Sequence, residues 1–492
     1  MAKATNTTGK ISKINVRMYR AGTGDFFILQ FKKGNTKSFN MMIDCGCING
    51  GKAQFKPMVE DLIIHTGGVI DLLVVTHQHA DHINGFEKSA DLFNQITFKK
   101  VWFAWTEDED DPIANDYRAN HSELSKALNT AVTKLNGLIK DKYYDSLFAN
   151  EVGGNFMLKG KKYFIKSLSG LNALNPVNLS VAGEPLPTMV KLFTDYNVIK
   201  PTTEVEFLEP GDVKSGLAAA MGMRFYVLGP PRESTFLNRT EKEGENFEQR
   251  EEKSKIDFAF LSAIGAILSD DNTSKLPFDA EYELPAEKKE FESAYNEGGE
   301  WRKIEYDWLY SAGNLALRYE RSINNTSLAL AIQFEDSERV LLFPADAEFG
   351  NWESWHNNLE WPVKINGQMV NKNAEYFLNK TVFYKVGHHL SQNGTAKGKG
   401  IDMMTSTDLA AMATLDFKKI NDGWLNTMPN DLLGAELIRK TKGKLFFVGD
   451  RKKILANINT TRVSIKKTHE TALNNANKPF DGKDFIEYVV NG

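Results

Sequence analysis

The stretch Thr76-His77-Gln78-His79-Ala80-Asp81-His82 limits what this chain can fold into more than any other. It follows Asp71-Leu72-Leu73-Val74-Val75, a short apolar run with β-branched members that reads as a buried strand. Three of the chain's nine histidines fall here, in company with an aspartate. Imidazole nitrogens and carboxylate oxygens at this density suit Zn²⁺ and similar divalent ions. Histidines merely hydrogen-bonded at a strand end are a weaker account of the spacing.

The residues His77, His79, Asp81 and His82 complete the pattern His-x-His-x-Asp-His, and so the chain resembles the metallo-β-lactamase superfamily. That resemblance implies an α/β fold, a four-layer αββα sandwich, with a one- or two-metal hydrolytic site at its edge. It names no substrate.

With 492 residues, 41% hydrophobic and 25% charged, the chain has an ordinary globular composition and length enough for a large core. Cys45 and Cys47 are its two cysteines, which argues against a disulfide scaffold and fits a reducing cytosol. The first eight residues lack a hydrophobic signal core, and Phe258 to Leu268, the most apolar segment, is too short to span a bilayer. The expectation is a cytoplasmic protein with no membrane partner. A net charge of −4 gives no global footprint for nucleic acid.

Taken in order, Ile11 to Met18 and Phe26 to Phe31 read as strands around the turn Arg20 to Asp25, a plain hairpin on physical grounds. Phe39 to Gly46 reads as a third strand, Met58 to His65 as a helix, and Thr97 to Phe103 as a strand after the metal loop. His65 and His121 read as ordinary residues. Residues 107–205 and 232–310 read as two large, partly helical insertions, the first with a helix over Ser122 to Lys140 and a loop from Gly170 to Pro187. Strands return at Met223 to Gly229, Ser327 to Phe334, Arg339 to Phe343 and Thr381 to Val386.

Two of these strands end in Asp346 and in His388-His389-Leu390-Ser391. Open sheets collect ligands at such ends. Beyond them, a helix at Asp431 to Thr441 and a hairpin are expected, with residues 466–492 as a tail outside a core spanning 10–465. Between Arg439 and Lys467, ten Lys and Arg stand against one acid, Asp450. This is either a phosphate-contacting face or a lysine-protected sheet edge.

The order of segments narrows the resemblance. Gly22-Thr23-Gly24-Asp25, Ile43-Asp44-Cys45-Gly46, the metal loop, Leu341-Leu342-Phe343-Pro344-Ala345-Asp346 and Lys385-Val386-Gly387-His388-His389-Leu390-Ser391 together are similar to the ComEC-type branch, the competence DNA-uptake hydrolase domains. The resemblance implies one or two divalent ions (Zn or Mn). His77, His79 and Asp346 would hold one, and Asp81, His82, Asp346 and one of His388 or His389 the other. Asp44 would support the metal loop from behind. Leu390 stands where the branch often has Gly, and Gly229 where a third superfamily histidine would be convenient.

The expected function is a metal-dependent phosphodiesterase or nuclease. Asp81 would orient or deprotonate water, and a free His388 or His389 with Ser391 would contact the phosphoryl group. Stand-alone relatives serve as effectors in bacterial anti-phage defence, with partners that the insertions could bind. Two other readings stay open: a hydrolase of small phosphodiesters, lactones or thioesters, and a degenerate site serving as a partner-binding surface.

Overall fold

The structure, a computed structural model, describes residues 9–48, 50–119, 188–217, 220–248, 323–416, 428–458 and 479–492. His121, the expected helix from Ser122, the loop from Gly170 and the apolar segment from Phe258 lie outside these residues.

The N-terminal part supplies β1 (Lys13–Tyr19), β2 (Phe27–Lys33), β3 (Thr36–Ile43), β4 (Val69–Ile70), β5 (Leu72–Val74), β6 (Thr97–Phe98) and β7 (Lys100–Ala104). Then come β8 (Glu204–Leu208), β9 (Val213–Ser215), β10 (Met223–Gly229), β11 (Ala329–Phe334) and β12 (Val340–Phe343). The hairpin β13 (Trp361–Ile365) and β14 (Gln368–Lys372) follows, and then β15 (Thr381–Lys385), β16 (Ala410–Ala413), β17 (Leu445–Phe447), β18 (Phe480–Asp481) and β19 (Phe485–Asn491).

The fold is mixed α/β, built on two large sheets. One has the order β18-β19-β1-β2-β3-β5-β7-β8, the other β17-β16-β15-β12-β11-β10-β9. In each, a parallel half adjoins an antiparallel half. The strands β3, β5, β7 and β8 run parallel to one another, as do β12, β15, β16 and β17.

The alternation of side chains along each strand decides what each face meets. Phe27, Leu29 and Phe31 of β2 share a core with Phe225, Leu330, Leu341 and Phe383 of the other sheet. The intervening Ile28 packs instead with Phe55, Leu62, Ile83, Phe86 and Phe193, which lie on helices Lys52–Thr66, Ala80–Lys88 and Met189–Asp195. On the second sheet, Ala331, Leu342 and Tyr384 face Trp352, Phe377, Leu433 and Ile454 on helices Phe349–Ser354, Ala374–Asn379, Asp431–Lys440 and Arg451–Ile458. Each sheet thus shares one core with the other sheet and a second with helices.

Several boundaries differ from the sequence reading. Residues 485–491 are no tail: β19 pairs with β1 over its whole length, and Ile486 and Val490 enter the core between the sheets. Met189, Leu192, Phe193 and Val198 are buried in the first sheet's helical core, so the end of the first supposed insertion belongs to the framework. The start of the second does too: Leu237 and Phe247 are buried, and Asn325 Nδ2 donates to the carbonyls of Leu237 and Arg239. After Lys440, the described residues form β17, a helix and then the antiparallel pair of β18 and β19. Among the described residues, no helix is long and apolar enough to cross a membrane.

Candidate metal centre

The ends of the parallel strands deliver the site. After β5, His79 caps helix Ala80–Lys88, so Asp81 and His82 ride its first turn. Asp44 follows β3, Asp346 follows β12, and Thr414 follows β16. The turn between β1 and β2 adds Asp25. It approaches the metal loop so closely that a Cβ on Gly24 would lie 2.5 Å from the Asp81 carbonyl oxygen, and one on Gly46 would lie 2.3 Å from the Asp81 carbonyl carbon. After β15 the chain makes a left-handed turn, with φ of 44° at His388, 49° at His389 and 68° at Leu390. Such a conformation costs an L-residue about 1–2 kcal/mol. It swings the neighbouring imidazoles apart, to planes 68° from each other.

Hydrogen bonds fix which nitrogen of each ring is free. The Thr76 hydroxyl donates to Asp44 Oδ2 at 2.6 Å, so it can only accept from His77 Nδ1, 3.1 Å away. His82 Nδ1 lies 2.7 Å from the same Asp44 oxygen, and Asp44 Oδ1 accepts from the Thr76 backbone N–H. Thr414 donates to Asp25 at 2.6 Å and therefore accepts from His389 Nδ1 at 2.8 Å. In all three rings Nδ1 carries a proton, and Nε2 faces inward, with a lone pair to offer when the ring is neutral.

Nε2 of His82 and of His389 converge on carboxylate oxygens. Asp346 Oδ2 is 3.1 Å from both His82 Nε2 and His389 Nε2, and Asp81 Oδ2 is 3.0 Å from His389 Nε2. Electron pairs at that distance need a positive charge among them. Donors about 2.0–2.2 Å from a zinc ion stand roughly 3–3.5 Å apart, so the spacing suits a cation. Asp81 Oδ1 and His82 Nε2 are moreover buried with no hydrogen-bond partner among the described residues. Without a cation, the carboxylates draw protons onto the rings. Burial opposes this, but Asp346 holds His82 well above the usual imidazole range and raises His389 to about 9.

Asp25, His82, Asp346 and His389 offer ligand atoms within 4.8 Å of one another and could hold a metal ion. Within that group Asp25 is already committed. Its Oδ2 is 2.5 Å from Lys385 Nζ, and its Oδ1 accepts from Thr414. Asp81, with one oxygen on His389 and the other unpartnered, is the better fourth donor. Asp44 stands behind His82 and offers nothing further.

A second donor pair lies alongside. His77 Nε2 and His79 Nδ1 are 3.0 Å apart, and the His77 and His82 ring centroids are 4.2 Å apart. Burial and the neighbouring imidazoles hold His77 neutral, well below its ordinary pKa. Gly229 cannot give way to a third histidine here. A Cβ there would lie 2.0 Å from Asn351 Oδ1. Asn351 is itself fixed: it donates to the carbonyls of Asn325 and Ser327 and accepts from Trp355 Nε1.

The histidine pair is divided. His389 joins the donors, whereas His388 faces Asn324, with Nδ1 3.7 Å from Glu348 Oε1. Burial lowers the His388 pKa to about 4. The Ser391 hydroxyl donates to Asn393. Sequence reasoning missed Asp25, Thr414, Lys385, Asn324 and Glu348. The charged Lys385 at the end of an apolar strand, one residue before the Gly-His-His turn, was the available signal. No protein-family profile, curated protein or solved structure matches the chain.

Proposed function

We propose that the chain is a metal-dependent hydrolase of phosphodiesters, a nuclease first among them, on the αββα sandwich of the metallo-β-lactamase superfamily and its ComEC-type branch. The observation that carries this reading is the convergence of Asp81 Oδ2, His82 Nε2, His389 Nε2 and Asp346 Oδ2, with both imidazole tautomers set by buried partners. A divalent cation bound there, Zn²⁺ or Mn²⁺, would supply Lewis acidity toward water and a phosphoryl oxygen.

The chain's own residues do the rest. His82, His389 and Asp346 would hold the cation, and His77 and His79 could hold a second. Asp81 keeps one oxygen, Oδ1, for the proton of an attacking water. His388, partly exposed beside the donors and neutral, contacts the substrate. Asp25, Asp44, Asp81, Asp346 and Glu348 are all buried close by, and Lys385 pairs with two of them, Asp25 and Asp346. A phosphodiester therefore binds only once cations offset these carboxylates.

The test is cleavage of single- and double-stranded DNA and RNA, and of a small aryl phosphodiester, by purified protein with Zn²⁺ or Mn²⁺. Metal-dependent cleavage is expected, falling about 10²-fold or more in Asp81→Ala. Cleavage of the small ester alone would move the substrate class to small phosphodiesters. No metal-dependent cleavage, or equal cleavage by the variant, would defeat the proposal.

A further inference from the structure

Five side chains, each at most 1% exposed, form a ring behind the donors. His389 Nδ1 donates to Thr414 Oγ1 at 2.8 Å, and Thr414 donates to Asp25 Oδ1 at 2.6 Å. Asp25 Oδ2 lies 2.5 Å from Lys385 Nζ, which lies 3.1 Å from Asp346 Oδ1. Asp346 Oδ2 and His389 Nε2 face each other across the ring's one open side, 3.1 Å apart. The members come from four places in the chain: the β1–β2 turn, the end of β12, the end of β15 with the turn after it, and the end of β16.

None of the three rear members has capacity left for a substrate. The ammonium of Lys385 has three hydrogens and three acceptors: Asp25, Asp346 and, at 2.9 Å, the Ala345 carbonyl. Both oxygens of Asp25 are occupied. Thr414 spends its one proton on Asp25 and a lone pair on His389. What the ring leaves open points forward: one oxygen of Asp346 and one nitrogen of His389.

We infer that Lys385, Asp25 and Thr414 are positioning residues that act as one unit. They confine Asp346 to a single cation-facing oxygen and His389 to a single cation-facing nitrogen. The inference rests on the metal-site reading above and adds the device that assembles it. Lys385 occupies the rear of Asp346, so the carboxylate cannot chelate one ion through both oxygens. Thr414 sets the tautomer of His389, as partners behind metal-bound imidazoles do generally.

The experiment measures Zn²⁺ affinity by chelator competition, and Co²⁺ binding by its visible absorption, for the full chain and for Thr414→Val, Lys385→Met and their double variant. Each single variant is expected to bind about 10–100-fold more weakly, with an altered Co²⁺ band. The double variant binds no more weakly than the poorer single one, because either change opens the same ring. Thr414→Ser, which keeps the hydroxyl, restores affinity. Should Lys385→Met not fold, the Val and Ser variants at Thr414 suffice. Wild-type affinity and spectrum in Thr414→Val would overturn the inference, and so would losses that add in the double variant. A wild-type chain that binds neither ion would instead remove the metal-site reading itself, and this inference with it.

Discussion

Glu107 closes the short turn Trp105–Glu107 after β7 and is almost fully buried. Burial pushes its carboxyl up to about 7, against the pull of Arg118 and a hydrogen bond from Thr106. A carboxyl raised in the folded state favours the fold most below its unfolded pKa near 4.5. That contribution is lost as pH rises through about 7. The shift corresponds to roughly 3 kcal/mol. Glu107→Gln is expected to match the wild type in thermal midpoint at pH 4.5 and to exceed it at pH 8. Midpoints measured across that range check the claim, and parallel curves would contradict it. Asp44 is a second buried acid of the same kind. It is raised by desolvation, but His82 and Thr76 pull it back down by hydrogen bonding. Its place behind the loop was implied by the resemblance carried by Ile43-Asp44-Cys45-Gly46. Asp25 could not be anticipated, because a turn aspartate ordinarily serves its own backbone, and its partners Thr414 and Lys385 are hundreds of residues away.

At the scale of elements, the glycine at 229 is built into the packing. Asn351 fills the space beside Gly229 and is locked by hydrogen bonds on both sides of its amide. Gly229→Ala is expected to destabilise the chain by about 1–3 kcal/mol through overpacking. In an Asn351→Ala background the same change should cost less, because the two sites touch. Thermal unfolding of the four proteins checks this, and simple additivity would contradict it. The strands carrying Asp44, Asp346 and the histidine pair were legible because each is a short apolar run ending in a polar residue. The left-handed turn His388-His389-Leu390 was not. Nothing in its composition calls for positive φ at three successive non-glycine residues. It is imposed by its surroundings, including the bond from the His388 N–H to the Ala345 carbonyl. That turn, rather than strand alternation, sends one imidazole to the donors and the other to Glu348. Strand β19 escaped notice for a different reason: its pairing partner, β1, lies at the other end of the chain.

For the molecule as a whole, two sheets meet across one apolar core and present the ends of their parallel strands side by side. Asp44, His77, His79, Asp81 and His82 come from the first sheet, and Asp346, His389 and Thr414 from the second. Neither sheet alone holds the donor set, so the core between them keeps the two halves in register. The most direct test of the account is a crystal of the chain grown with Zn²⁺ or Mn²⁺, with an anomalous difference map collected at the metal edge. The account predicts a peak about 2.0–2.3 Å from Asp81, His82 Nε2, Asp346 Oδ2 and His389 Nε2. A map with no peak there, and with protonated His82 and His389 bonded directly to Asp346, would contradict it.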